Sequence, residues 1–153
     1  MRQVGTRVHG DGANAACRPD PCAYPRCVMY TVARLALDVR TSLESAESDG
    51  VRLRLVRQFL MDAEQGDVAV LVSAIAPPTG SADWDALLAG IAEYAAHRAG
   101  VRTPPWSVMP ERFLRTWFFV MPYEALHGHA MAETPAALAN RGVFIRRATL
   151  VNA

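Results

Sequence analysis

Cysteine and histidine residues near the start of the chain have the right chemistry for a metal site. Cys17, Cys22 and Cys27 recur at intervals of five residues, and His9 precedes them. Zinc takes thiolate and imidazole ligands, but this proline-rich segment would need the distant His9 to complete a set of four. An odd number of cysteines also argues against a disulfide framework. We therefore predict that this segment binds no metal.

A second group with ligand chemistry is His127 and His129, flanked by Glu124 and Glu133. Imidazole and carboxylate groups can hold a transition metal. Side chains two positions apart on a helix point about 200° apart, so one ion reaches both histidines only if the helix breaks at Gly128. A solvated helix face is the favoured interpretation. A small metalloenzyme built on the two histidines is the alternative.

The chain carries none of the short motifs that identify common enzyme classes. It has no G-x-S-x-G nucleophile motif, no glycine-rich phosphate loop and no lysine at all. Glu93 and His97 stand four residues apart on a predicted helix, which is typical of ordinary surface partners. We therefore predict that the protein is not an enzyme and binds no cofactor.

Aromatic residues crowd positions 106–123, with Arg112 and Arg115 among them. Phe113 and Trp117 would share one face of a helix, whereas their neighbours could not all join it, so at least one ring is left near the surface. Aromatic and arginine side chains are enriched in interface hot spots, and packing of every ring in the core is the alternative. The predicted partner-binding residues are Trp106, Arg112, Phe113, Arg115, Trp117, Phe118, Arg141 and Phe144.

Composition limits the class of protein. The chain has 153 residues, of which 51% are apolar and 20% charged, and its net charge is +1. This length and apolar content suffice for one domain with a real core, and the small net charge argues against a broad nucleic-acid surface. No apolar stretch has the length of a membrane span, and the N-terminus lacks the apolar segment of a signal peptide. We expect a cytoplasmic protein.

The chain divides at Met29. Residues 1–28 contain glycine and proline breakers and no periodic apolar pattern, which predicts a disordered tail or an extension upstream of the true start. Residues 29–153 are predicted to form a single helical domain.

Apolar residues recur at helical spacing through most of the second part of the chain. They predict helices over residues 30–47, 51–64, 68–76, 82–99, 111–118, 123–132 and 135–140. Ser81 and Thr134 are expected N-caps, and Gly100 is an expected helix end. Residues 143–145 are too short to form a sheet alone. The predicted fold class is all-α, a compact multi-helix domain with a short irregular C-terminal segment.

Short motifs spread over residues 50–150 resemble those of a group of small helical proteins from actinobacteria. The motifs are Arg54-Leu55-Val56, Phe59-Leu60, Pro77-Pro78-Thr79-Gly80, Trp84-Asp85-Ala86-Leu87-Leu88, Ala92-Glu93, Pro105-Trp106, Arg112-Phe113-Leu114, Trp117-Phe118, Thr134-Pro135-Ala136 and Arg141-Gly142-Val143-Phe144-Ile145. Members of that group stand alone or follow a helix-turn-helix, and some accompany nucleotidyltransferase-type toxins. The resemblance implies an antitoxin-like partner protein without activity of its own.

The end of the chain departs from the pattern of that group. Arg146 and Arg147 stand where the group usually has an acidic residue, and the customary aspartate before Leu150 is absent. An acidic contact at this end is therefore in doubt for this chain.

The alternative function is a DNA-binding transcriptional regulator. Residues 32–64 would form a degenerate helix-turn-helix, with Arg52, Arg54 and Arg57 on the phosphates. Acidic residues at the turn between the two helices, including Glu47 and Asp49, would repel the DNA backbone. We therefore favour an interaction module that neutralises a partner toxin by covering its active cleft.

Overall fold

A computed structural model describes residues 29–151 and shows an all-α fold in this part of the chain. The α-helices are α1 (Val32–Glu44), α2 (Asp49–Gln65), α3 (Val68–Leu71), α4 (Ala82–Ala99), α5 (His127–Glu133), α6 (Ala136–Ala139) and α7 (Arg147–Val151). Three 3₁₀ turns occupy Pro105–Val108, Pro110–Arg112 and Glu124–Leu126, and two short strands are β1 (Phe118–Phe119) and β2 (Val143–Phe144). The predicted tail and the three cysteines lie outside the described residues.

Helices α1 and α2 form because their apolar residues recur at helical spacing on one face. The Thr31 hydroxyl caps α1 by accepting a hydrogen bond from the N–H of Arg34 at 3.3 Å. Val32, Leu35 and Val39 are buried on its inner face. The two helices pack against each other and against α4.

Helix α4 is the centre of the fold. Every residue from position 86 to 92 is buried, so the middle of this helix is covered on all sides by other elements. Gly90 lets α6 approach closely, because a Cβ there would lie 2.5 Å from Leu138 Cδ2. The helix ends at Gly100, whose φ of 67° is left-handed, and its bounds are those predicted from the sequence.

The structure corrects several predicted helices. The apolar segment 68–76 gives only the single turn α3, and residues 111–118 do not form a helix. Pro110 opens a 3₁₀ turn instead, after which the chain extends into β1. Pro135, not Thr134, precedes α6, and Thr134 ends α5.

The two strands pair in parallel, in a sheet that the sequence analysis did not predict. Phe118 lies opposite Val143, and Phe119 lies opposite Phe144. The N–H of Phe118 donates to the Gly142 carbonyl at 2.8 Å. Phe118 and Val143 face the core, where Phe118 meets the edge of the Trp84 ring. By strand alternation Phe119 and Phe144 face the other way.

No helix in the range 29–151 combines the length and the apolarity that crossing a bilayer requires.

Candidate partner-binding surface

A three-residue bulge projects from the start of β1. The N–H of Leu114 donates to the Arg141 carbonyl at 3.0 Å, and the N–H of Phe118 donates to the carbonyl of the next residue, Gly142, at 2.8 Å. The two acceptor carbonyls belong to consecutive residues, whereas the two donor N–H groups are four residues apart. The three residues between them, Arg115, Thr116 and Trp117, loop outward and are all exposed. We name them the 115–117 bulge.

Gly142 makes room for this bulge. Its φ is +76°, a left-handed conformation that disfavours any residue with a side chain. A Cβ at this position would lie 3.3 Å from the Thr116 carbonyl oxygen. Glycine is thus required both by the backbone angle and by the close approach of the bulge.

Four rings form a cluster beside the bulge, on the side of the sheet that faces away from the core. The Trp117 ring meets Phe119 and Phe144 edge-on, with centroids 6.4 Å and 5.5 Å apart. Phe119 stacks on Phe144 at 5.1 Å and on His127 at 3.8 Å. We name these four residues the aromatic face. Trp117 is 66% exposed, so two neighbouring rings, Phe119 and Phe144, hold in place a large side chain that is mostly in water.

Charge on the bulge is not neutralised within the described part of the chain. Arg115 is exposed, and no ion pair joins it to any residue of the range 29–151. It is also the sole charged residue between positions 113 and 123. The bulge therefore presents one aromatic ring and one cation together.

Trp106 and Arg112, both predicted as partner contacts, are buried instead. The Trp106 indole N–H donates to the Val72 carbonyl at 2.9 Å. Arg112 Nη2 donates to the Ala76 carbonyl at 2.7 Å, and its guanidinium lies over the Trp106 ring. Arg112 also pairs with Asp85 of α4 at 3.8 Å. The prediction is wrong for these two residues, because they attach the 3₁₀ turns to the helical core.

Arg141 is buried as well, with only 1% of its surface exposed. Its Nη2 donates to Glu93 Oε2, and its guanidinium lies 4.5 Å from the centroid of the Phe113 ring. Nε and Nη1 find no hydrogen-bond partner among the described residues. Burial lowers the pKa of Arg141, and the neighbouring Glu93 carboxylate opposes that shift. The predicted role in partner contact is therefore wrong for Arg141.

Glu93 has a second partner besides the predicted one, His97. Its carboxylate pairs with buried Arg141, while His97 Nε2 lies farther off, 3.8 Å from Glu93 Oε1. The same His97 Nε2 lies 3.1 Å from the Thr103 hydroxyl. A catalytic relay needs one imidazole nitrogen for the hydroxyl and the other for the carboxylate. These three side chains do not form one.

The remaining predicted contacts divide by exposure. Phe113 is 39% exposed and Arg115 and Trp117 are exposed, whereas Phe118 is half-buried against Trp84 and Phe144 is buried beneath Trp117. Phe119 and His127 also belong to this surface, although neither was predicted as a partner contact. The spacing of Trp117 and Phe119, two residues apart, matches the period of a strand and was the available signal.

The two candidate metal-ligand histidines separate in the structure. His127 stacks on Phe119, and its Nε2 is buried without a hydrogen-bond partner, whereas His129 is exposed. Within residues 29–151 no group of three or more histidine, cysteine, aspartate or glutamate side chains is placed to hold a metal ion. His127 therefore acts here as a fourth ring of the aromatic face.

The arginines assigned to DNA contact do not form a common basic surface. Arg52 is buried, with Nη2 paired to Asp49 at 2.8 Å and its guanidinium over the Trp84 ring. Arg54 is exposed, and Arg57 is partly buried. A phosphate contact through Arg52 is thus wrong, because its side chain connects α2 to the core.

Comparisons with known proteins find no match to any family model, to any curated protein or to any solved structure. The resemblance to small actinobacterial proteins therefore stays a prediction from the motifs. What the surface does has to be inferred from its own geometry.

Proposed function

We propose that this chain is a non-catalytic protein-binding module, an antitoxin-like protein that neutralises a partner toxin by covering its active cleft. The observation that carries the proposal is Trp117, which is 66% exposed on a bulge fixed at both ends. The class of partner, a nucleotidyltransferase-type toxin in the cytoplasm, comes from the motifs described above.

An exposed tryptophan in this setting favours binding over packing. Tryptophan is among the residues most enriched in interface hot spots, and truncating such a residue costs about 2 kcal/mol or more of binding energy. Singly exposed apolar residues need no functional explanation, but Trp117 has Phe119 beside it and Arg115 two positions away. Aromatic and arginine side chains together are the composition of an interface core.

The surface is ordered before any partner arrives. Leu114 and Phe118 anchor the 115–117 bulge to neighbouring carbonyls, and the rings of Phe119 and Phe144 hold the indole from two sides. A side chain that is already held loses little conformational freedom on binding, so more of the contact energy contributes to affinity.

Covering the active cleft of a partner requires no catalytic residue in this chain. A projecting bulge that carries an indole and a guanidinium can enter a concave site, where the indole would displace water and the guanidinium would pair with carboxylates. Carboxylates are the usual ligands of the magnesium ions in nucleotide-binding sites. The proposal therefore places Trp117 and Arg115 at the mouth of the partner's cleft.

The test is co-expression of the full chain with the product of the adjacent gene, followed by affinity purification and a growth assay. We expect the product of the adjacent gene alone to arrest growth. Cells that express both proteins should grow, and the two proteins should co-purify. Trp117→Ala should abolish rescue and weaken binding by about 30-fold or more, as for a hot-spot residue.

Tyr123→Ala is the matched control. Tyr123 is an aromatic residue with 61% of its surface exposed, but no ring contact joins it to the aromatic face. This variant should rescue growth as the wild type does. A harmless neighbour, the absence of a complex, or a Trp117→Ala variant that rescues fully would contradict the proposal.

A further inference from the structure

The outer edge of β1 has unused main-chain hydrogen-bonding groups. In a parallel pair, alternate residues of a strand direct both their N–H and their C=O toward the partner strand. Phe118 and Val120 do so, because their N–H groups donate to the carbonyls of Gly142 and Phe144 at 2.8 Å and 3.1 Å. The N–H and C=O of Phe119 therefore point away from β2. No hydrogen bond within the described residues engages them.

The outer edge of β2, by contrast, is closed. The N–H of Ile145 donates to the Thr134 hydroxyl at 2.9 Å, and that hydroxyl lies 3.0 Å from the Ile145 carbonyl. Thr134 thus occupies the position that a third strand would take at Ile145, one residue beyond β2, and Val143 within β2 is fully buried. Helices α5 and α6 pack against β2 on this side. The sheet has one edge blocked by the fold and one edge open.

The open edge adjoins the aromatic face. Trp117 and Phe119 lie two residues apart, on the side of β1 that faces away from the core. A strand added along β1 would place alternate side chains on that same side, against the two rings. Main-chain hydrogen bonds would supply affinity, and the rings would select apolar side chains.

Charge identifies the occupant further. Arg115 is the sole charged residue between positions 113 and 123, and within residues 29–151 no carboxylate pairs with it. Guanidinium groups bind carboxylates in a bidentate way. A segment lying along β1 would therefore gain an ion pair from an acidic residue near the bulge.

We infer that the free edge of β1 is a strand-addition site for an extended segment of a partner protein, in which apolar residues alternate and an acidic residue meets Arg115. The inference rests on the proposed function, since it specifies how the partner binds the same surface. Strand addition would contribute main-chain hydrogen bonds between Phe119 and the partner segment, in addition to the side-chain contacts.

The experiment uses a displayed library of random dodecapeptides selected on the full chain, followed by synthesis of the enriched peptide. Amide hydrogen exchange of the chain is then measured by NMR with and without that peptide. We expect enrichment of acidic sequences with alternating apolar residues, and slower exchange of the Phe119 amide in the complex. Arg115→Glu should weaken binding by about tenfold or more.

A pair of variants at Phe119 separates the main chain from the ring. Phe119→Ala removes the ring and keeps the N–H, whereas Phe119→Pro removes both. We expect the proline variant to bind the peptide more weakly than the alanine variant by up to about tenfold, the effect of one hydrogen bond. If the proline variant fails to fold, exchange of the wild-type Phe119 amide still decides the matter.

The outcomes separate this inference from the proposed function. A peptide that binds while the Phe119 amide exchanges at its free rate overturns strand addition, even if Trp117→Ala abolishes toxin neutralisation. Enrichment of helical or basic sequences, or no enrichment over the Arg115→Glu chain, overturns it too. A protected Phe119 amide beside a harmless neighbouring gene product would keep the strand site and reject the antitoxin role.

Discussion

The helical part from α1 to α4 and the irregular part from residue 101 to 151 satisfy their charges in different ways. In the helical part, surface charges pair at short range, as in Arg34 with Asp38 at 3.1 Å and Arg40 with Glu44 at 2.9 Å. In the irregular part, Arg112 and Arg141 are buried and reach acidic residues of α4. Only there does an exposed tryptophan stand beside an arginine without an ion pair to any described residue.

This difference shows that one composition serves two purposes. Arginine with aromatic rings is the signature of an interface, and the irregular part is itself attached to α4 through such an interface. Arg112 lies on Trp106, and Arg141 lies on Phe113. The same residue types turned outward, Arg115 and Trp117, form the surface that we assign to a partner.

The largest effect is expected at the buried ion pair. Arg141→Ala should lower the free energy of unfolding by about 3–5 kcal/mol, because it leaves the Glu93 carboxylate unpaired and opens a cavity. Arg40→Ala is the control in the helical part and should cost less than about 0.5 kcal/mol, since its pair with Glu44 is exposed. Urea denaturation measures both, and equal losses would show that the two kinds of pair do not differ.

A second, smaller effect concerns two glycines in the left-handed conformation, Gly142 just before β2 and Gly100 at the end of α4. Gly142→Ala should lower the free energy of unfolding by about 2 kcal/mol. The alanine would have to adopt a left-handed φ, and its Cβ would also lie close to the Thr116 carbonyl oxygen. Gly100→Ala should cost about 1 kcal/mol, because nothing lies within 4 Å of a Cβ there. Thermal unfolding checks the order, and a smaller loss at Gly142 would argue against a tightly held bulge.

Alkaline pH tests the contact of Tyr30, which precedes α1, with Asp38 of that helix. Burial, the hydrogen bond that Tyr30 donates to Asp38 at 2.8 Å and the Asp38 charge all raise the pKa of Tyr30. The native state therefore keeps its proton after the unfolded chain has begun to lose it, so the contribution to stability is full below about pH 10 and declines above it. The chain has no lysine whose deprotonation would add to this alkaline loss of stability.

Tyr30→Phe should flatten the decline, and it should cost about 0.5–1.5 kcal/mol at neutral pH for the lost hydrogen bond. Unfolding by urea at a series of pH values from neutral to strongly alkaline tests this. A decline that persists in Tyr30→Phe would assign it to other groups.

The smallest stability effect is expected at the proposed interface. Trp117→Ala should lower the free energy of unfolding by about 1 kcal/mol or less, because most of the side chain is already in water and only its contacts with Phe119 and Phe144 are lost. Trp106→Ala, at a buried tryptophan of the same part, should cost about 3–5 kcal/mol. A large loss for Trp117→Ala would mean that the ring serves the fold instead of a partner.

Helices α1, α2 and α4 could be predicted from the sequence because their determinants are local, whereas the apolar segment 68–76 gives only one helical turn. The apolar spacing of α4 and Gly100 at its end sufficed for its exact bounds. The two-stranded sheet could not be predicted in this way, since β1 and β2 come together only through long-range pairing. Phe113 and Trp117 have helical spacing, but Pro110 gives a short 3₁₀ turn and Phe118 then pairs with β2.

The sequence predicted the residue types of the candidate surface, but only some of the residues that form it. Trp117, Arg115 and Phe113 are exposed as expected, whereas Arg141 is buried by Glu93, a residue 48 positions away. The sequence does not reveal which acid an arginine will reach across a fold. Burial therefore had to decide which aromatic and arginine residues remain available to a partner.

The most direct test follows Trp117 in the chain labelled with 5-fluorotryptophan and bound to the unlabelled product of the adjacent gene. The chain has three tryptophans, of which Trp84 and Trp106 are buried, so the ¹⁹F solvent isotope shift of the free chain should come mainly from Trp117. Trp117→Phe assigns the resonance. We predict that the complex removes this shift, whereas a Trp117 signal that keeps it in a stable complex would contradict the account.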